Sequence, residues 1–155
     1  MQTTSAVTGV TKRRRGSKSF FADSPMTFLD GSDSSQIIEL IRQGLPSTAI
    51  DYLAERLSLS RALFLEAIKI PVSTIERRLR TGEALSSDES NRVTGVAKIL
   101  RRAIEVFGDE EQGRQWLTHS VSSLGGKAPL SLLDTMEGYE LVNATLSRIQ
   151  YGVYG

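Results

Sequence analysis

Residues 60–82 read SRALFLEAIKIPVSTIERRLRTG, and this stretch decides the fold. Ser60 is a helix N-cap, because its hydroxyl accepts from a backbone N–H that the first helical turn leaves without a partner. Leu63, Phe64 and Ala67 follow at helical spacing and are expected to face inward. Pro71 lacks a backbone donor and disfavours helical angles at Ile70, so the helix stops there. Ser73 and Glu76 then form a Ser-x-x-Glu capping box for a second short helix, which keeps Ile75 and Leu79 inside and ends near Gly82. Thr74, Arg77, Arg78 and Arg80 ride on its outer face.

Two short helices joined across Lys69–Val72, the second exposing arginines, are what a DNA-reading helix-turn-helix needs. Its second helix lies in the major groove, where Arg meets a guanine edge with two hydrogen bonds and Thr touches a thymine methyl. Thr74, Arg77 and Arg78, with Ser73 beside them, are the candidate readers. Arg61 and Lys69 are placed to contact phosphates and supply the salt-dependent share of affinity. The turn departs from the usual pattern in one respect, since Lys69 sits near the place where a glycine is common.

Working outward, Ile37, Leu40 and Ile41 share one helical face ended by Gly44, and Pro46 suits the first turn of a helix with Ile50, Leu53, Ala54 and Leu57 inside. Downstream, Ser86 and Glu89 repeat the capping box and open the longest helix, whose stripe runs Val93, Val96, Ala97, Leu100, Ile104, Phe107 up to Gly108. Asp109 with Gln112 caps a short helix holding Trp116 and Leu117. After an irregular stretch from Val121 to Pro129, a last helix capped by Thr135 carries Tyr139, Val142, Leu146 and Ile149. No strand pattern of comparable strength occurs, so the fold is expected to be all-α. The expected division is a flexible basic arm over 1–33, a helix-turn-helix domain over 34–104 and a small helical domain over 105–155.

The chain of 155 residues has a formal net charge of +1, unevenly spread. Lys12, Arg13, Arg14, Arg15 and Lys18 crowd an acid-free start, whereas the chain after Glu105 is mostly acidic, which points to different partners for different regions. The cluster lacks the apolar run that would make it a signal peptide. Cysteine is absent, which excludes disulfides and thiolate sites and fits a reducing cytoplasm. No apolar run is long enough to span a bilayer, so a soluble cytoplasmic chain is expected.

Nothing calls for a cofactor or metal. Gly125-Gly126-Lys127 lacks the spacing and the Ser/Thr of a phosphate loop and reads as a tight turn. Asp109-Glu110-Glu111 sits at a helix start, where acids complement the macrodipole. His119, the one histidine, has no orienting carboxylate in reach of its sequence neighbourhood, and Trp116 reads as a core anchor. The chain is therefore expected not to be an enzyme.

The end of the chain is more specific. Trp116-Leu117, Leu124-Gly125-Gly126-Lys127-Ala128-Pro129, Leu132-Leu133-Asp134-Thr135, Gly138 and Arg148-Ile149-Gln150-Tyr151-Gly152-Val153-Tyr154 together resemble the toxin-binding domain of the Xre/MbcA/ParS antitoxins. The resemblance covers about the last third, and the helix-turn-helix before it has that family's layout. It implies an antitoxin that represses its own operon and holds a RES-domain toxin inactive, the NAD chemistry belonging to the toxin. It also implies a homodimer, which suits a two-fold operator. The implied toxin contacts are Gly125, Lys127, Pro129, Leu133, Arg148, Tyr151, Val153, Tyr154 and Gly155. Tyrosines beyond a helix stop agree with a docking tail, since they offer large contact area at small entropic cost. The alternative from the same residues is a stand-alone helix-turn-helix regulator whose C-terminal domain binds a ligand or serves dimerisation.

Overall fold

The computed structural model describes residues 19–152, and the arrangement there is helical. Seven α-helices succeed one another among the described residues: α1 (Ser34–Gln43), α2 (Ala49–Arg56), α3 (Arg61–Ile68), α4 (Val72–Thr81), α5 (Ser87–Phe107), α6 (Glu110–Thr118) and α7 (Met136–Gln150). Their ends are set by local chemistry. Ser60 accepts from the Leu63 amide, Ser86 and Glu89 exchange both bonds of a capping box, and Thr135 accepts from the Gly138 amide. Gly44 at φ 100° and Gly108 at φ 75° provide stops that other residues would adopt only with strain.

Three local expectations are corrected. Pro46 lies ahead of α2 rather than in its first turn, its carbonyl accepting from the Ala49 amide at 3.0 Å. Ser73 is not a cap, because α4 begins at Val72 with Pro71 as N-cap; the fixed proline φ starts the helix before the capping box has a role. Leu63 is 55% exposed, and the buried face of α3 is Phe64, Leu65 and Ile68.

The larger correction concerns residues 19–33, expected to belong to a loose arm. Phe21 and Met26 are fully buried and Leu29 nearly so, with a 3-10 turn over Thr27–Asp30. Asp30 accepts from the Phe21 amide and the Ser19 hydroxyl, both at 2.9 Å, closing the segment on itself. Arg56 of α2 lies 4.2 Å over the Phe20 ring and donates to the Phe20 carbonyl, while Arg101 of α5 donates to the Leu29 carbonyl at 3.1 Å. The segment is thus a strap tied to two helices. The apolar residues that fasten it follow no helical period, so no periodic signal marks them. The basic cluster Lys12–Arg15 lies outside the described residues.

α5 is the common spine. α6 folds back on it through a contact that only glycine permits: a Cβ at Gly113 would sit 2.8–2.9 Å from Ile104. α7 runs beside it in the same sense, Tyr139 facing Gly95 and Ser147 bonding Arg102. α1 and α2 pack on it from the other end of the chain, and α3 rests on the 3-10 turn Pro129–Leu132. One hydrophobic cluster therefore continues from Phe21 to Leu146. The expected boundary at 104/105 falls inside α5. No helix among the described residues is long and apolar enough to cross a membrane.

Candidate nucleic-acid and partner interfaces

The turn between α3 and α4 is held in a conformation its sequence does not favour. Lys69 takes the left-handed region at φ 62°, where a non-glycine residue costs about 1–2 kcal/mol. Arg92 of α5 offsets that strain by donating to the carbonyls of Ile68 and Lys69, at 2.8 and 2.9 Å. A cation there also complements the C-terminal dipole of α3. The only sequence trace of this clamp is Arg92 four residues after Asp88, which reads as an ordinary surface pair.

On α4 the two neighbouring arginines have different surroundings. Arg77 is about half exposed and meets only Glu83, itself exposed, at 3.0 Å. Such a pair is worth roughly 0–1 kcal/mol and releases readily. Arg80 is exposed as well. Arg78 is turned inward: its Nε lies 2.9 Å from Glu89 Oε1 and its terminal nitrogen donates to Glu89 Oε2 at 3.2 Å. Burial alone would raise the Glu89 carboxyl, but the Ser86 donors and the Arg78 guanidinium outweigh it and hold it below its ordinary value. Arg78 thus braces α4 against the start of α5 and does not face outward with Arg77. The phase is readable afterwards, since Arg78 sits beside half-buried Leu79 and three residues after buried Ile75.

Of the other expected DNA contacts, Ser73 and Lys69 are exposed and Thr74 is half-buried. Arg61 is engaged with Asp51 through two hydrogen bonds of 2.8 Å, which raise the guanidinium's value and lower the carboxyl's. A phosphate would have to compete with that carboxylate.

The C-terminal candidates also divide. Gly125, at φ 70°, and Lys127 are exposed at a turn closed by an isolated bridge between Val121 and Lys127. Pro129 and Leu133 are corrected from contacts to core residues: both are buried, Leu133 at 3% exposure, where α3, α6 and α7 meet the Pro129–Leu132 turn. Arg148 is exposed, and Tyr151 is 74% exposed just past the end of α7. Val153, Tyr154 and Gly155 lie outside the described residues.

No sequence pattern points to Arg102 of α5. It donates to Asn143 Oδ1 at 2.6 Å, Ser147 Oγ at 2.8 Å and Gln150 Oε1 at 3.1 Å, three successive turns of α7. It fixes the helix from which Tyr151 emerges. His119 is exposed with Nδ1 2.9 Å from the Gln115 carbonyl, and Trp116 packs on Phe107 at 6.0 Å between centroids. No group of three or more metal-binding side chains forms among the described residues.

Two family descriptions match consecutive parts of the chain: the antitoxin Xre-like helix-turn-helix domain over residues 36–98 and the antitoxin Xre/MbcA/ParS C-terminal toxin-binding domain over residues 102–152. The chain is 27% identical over 128 residues to the Prs ADP-ribosylating antitoxin of Sphingobium sp. (strain YBL2), covering 76% of this chain and 79% of that one. It is 26% identical over 123 residues to antitoxin Xre of Photorhabdus laumondii, covering 79% and 83%. With antitoxin Xre of Yersinia enterocolitica it shares 27% identity over 127 residues, covering 81% and 86%.

Proposed function

Because the chain belongs to the Xre/MbcA/ParS antitoxins, with an Xre-like helix-turn-helix domain followed by a toxin-binding domain, we propose that it neutralises a RES-domain, NAD-consuming toxin by direct binding and represses its own operator. The observation that carries the reading is the pairing of both domains in this order on one spine helix. The name of the Sphingobium relative, which joins "antitoxin" to ADP-ribosylation, is in keeping with an NAD-using partner. The chain itself acts by binding rather than catalysis, as a homodimer, in the cytoplasm where operator and toxin meet.

The proposed DNA surface is α4 with Arg77 as base reader, Thr74 and Ser73 beside it, Lys69 at the phosphates and Arg80 added from its exposure. Arg78 is reassigned to bracing, and Arg61 to a phosphate contact that opens only if Asp51 releases it. Arg77→Ala is expected to weaken operator binding by about 1–3 kcal/mol while leaving toxin neutralisation unchanged. A gel-shift titration at fixed salt checks this, and an unaltered affinity would remove Arg77 as a reader.

The proposed toxin surface comprises the Gly125–Lys127 turn, Arg148 and the tail from Tyr151 to Gly155, the tail covering the toxin's NAD site. Aromatic anchors seated in a concave site carry most of an inhibitor's affinity. Truncation after Gln150 keeps every Arg102 contact, so the complex should still form. Toxin NAD consumption should nonetheless return. A truncated protein that binds and still fully suppresses NAD loss would move the inhibitory contact onto the body of the domain.

A further inference from the structure

We propose that the groove between α1, α5 and the start of α7 is where a second copy of this chain docks, so that each copy's groove covers the other's. The purpose assigned to the contact rests on the DNA-binding reading; its existence does not. The groove holds about 540 Å³. Two large apolar side chains stand open to water on its walls, Ile38 at 47% and Met136 at 75%. Exposed apolar surface gathered around a concavity marks a contact site on a soluble protein. Between them the floor drops at Gly95, where a Cβ would already lie 3.4 Å from the Tyr139 ring. The buried Thr94 hydroxyl on the same floor has no hydrogen-bond partner among the described residues.

The charges on the rim select the occupant. Asp88 and Arg92 neutralise each other at 3.2 Å. Lys98 and Asp134 also line the groove, and neither belongs to an ion pair among the described residues. The open set is one cation and one anion. A nucleic acid would call for a basic rim and an acidic peptide likewise, and this rim is neutral. A two-fold contact instead requires that a single patch carry both halves of every complementary pair. This patch does: Lys98 of each copy meets Asp134 of the other, and the protruding Met136 and Ile38 of each fill the depression over the other's Gly95.

The position suits the purpose. Arg92 forms part of the groove wall and bonds the carbonyls of Ile68 and Lys69 at the turn ahead of α4. A partner seated here therefore lies one side chain from the turn that orients the reader helix. Helix-turn-helix proteins that bind two-fold operators need that spacing fixed, because half-sites recur at about one helical turn, ~34–36 Å.

The test uses the full chain without DNA or toxin. Sedimentation equilibrium should show a dimer for the native protein. Lys98→Asp and Asp134→Lys should each raise its dissociation constant about tenfold or more, through two symmetry-related like-charge contacts. Combining the two swaps should restore the native value. Met136→Glu should give a monomer with an unchanged circular dichroism spectrum, since that side chain packs on little of its own chain. The proposal is overturned if the native protein is a monomer at about 100 μM, or if the three single variants dimerise as tightly as the native chain. It is equally overturned if Met136→Glu leaves the dimer intact and abolishes toxin binding, which would assign the groove to the toxin. A dimer that behaves as expected yet fails to bind operator would leave this contact standing and remove the DNA-binding reading.

Discussion

Alanine at Gly138 is expected to be the most damaging single-methyl change in the chain. Gly138 lies in the first turn of α7, donates its amide to the Thr135 cap, and has its Cα against the backbone of Leu132. An added methyl would overlap the Leu132 carbonyl. Flexible side chains yield to such an intrusion, but here the obstacle is backbone in a 3-10 turn that α3 and α6 also pack against. Relief would require α7 to lift from its cap or the turn to move off α3. Overpacking against a fixed wall costs about 1–3 kcal/mol and occasionally more, and the upper end applies here. For a chain of this size that corresponds to a melting temperature lowered on the order of 10 °C. Differential scanning calorimetry of Gly138→Ala beside Glu137→Ala, an exposed neighbour in the same turn, is the measurement. Equal melting temperatures would mean that α7 starts elsewhere in solution.

Phe21→Ala should be comparably costly, at about 3–5 kcal/mol, the usual range for removing a buried phenyl ring. The ring is fully buried, 6.4 Å from the Tyr52 ring and 5.6 Å beneath the Arg101 guanidinium, so its removal opens a cavity and unseats a cation together. A pair of deletions separates the strap from the basic cluster before it. Removing residues 1–33 takes away Phe21, Met26 and Leu29 and should lower the urea midpoint at least as far as Phe21→Ala does. Removing residues 1–18 keeps every interaction described for the strap and should leave the midpoint in place. The shorter deletion should also flatten the salt dependence of operator affinity, by about 0.9 in slope for each phosphate that the basic cluster had neutralised. An unaltered slope would deprive Lys12–Arg15 of a role on DNA. A native-like midpoint for the longer deletion would show that the strap contributes no stability.

What was legible in the sequence was what the chain decides locally. Ser60, Ser86 and Thr135 cap because the amides they accept from lie three residues away, and the glycine stops act through their own φ angles. The α5 stripe was legible because burial on one side of a long helix forces a period, although Ile104 and Phe107 at its end are only partly covered. The misreadings share a cause: partners distant in sequence. Ser73 fits a capping pattern, yet Pro71 has already begun the helix. Phe21 and Met26 are buried by helices that start at residues 49 and 87 and leave no periodic trace. Pro129 and Leu133 belong to a run that resembles a toxin-binding signature, but such a run does not distinguish residues that touch the toxin from those that shape the domain. The roles of Arg92 and Arg102 depend on acceptors more than twenty and more than forty residues away, beyond any local pattern.

The spine shared by the two halves limits how this protein can be rebuilt. The matched regions end and begin at residues 98 and 102, a few positions apart within one uninterrupted helix. A crossover there would join an Arg102 face shaped for this α7 to an Arg92 face shaped for this turn. It would also set α3 against a foreign Pro129–Leu132 turn, and the strap would still reach across to Arg101 from the opposite end of the chain. A graft that exchanges toxin preference must therefore carry the mating surfaces of α3 and the strap with it, and lineages that swap partners have more room to do so by substitution along the exposed turns than by exchange of whole halves.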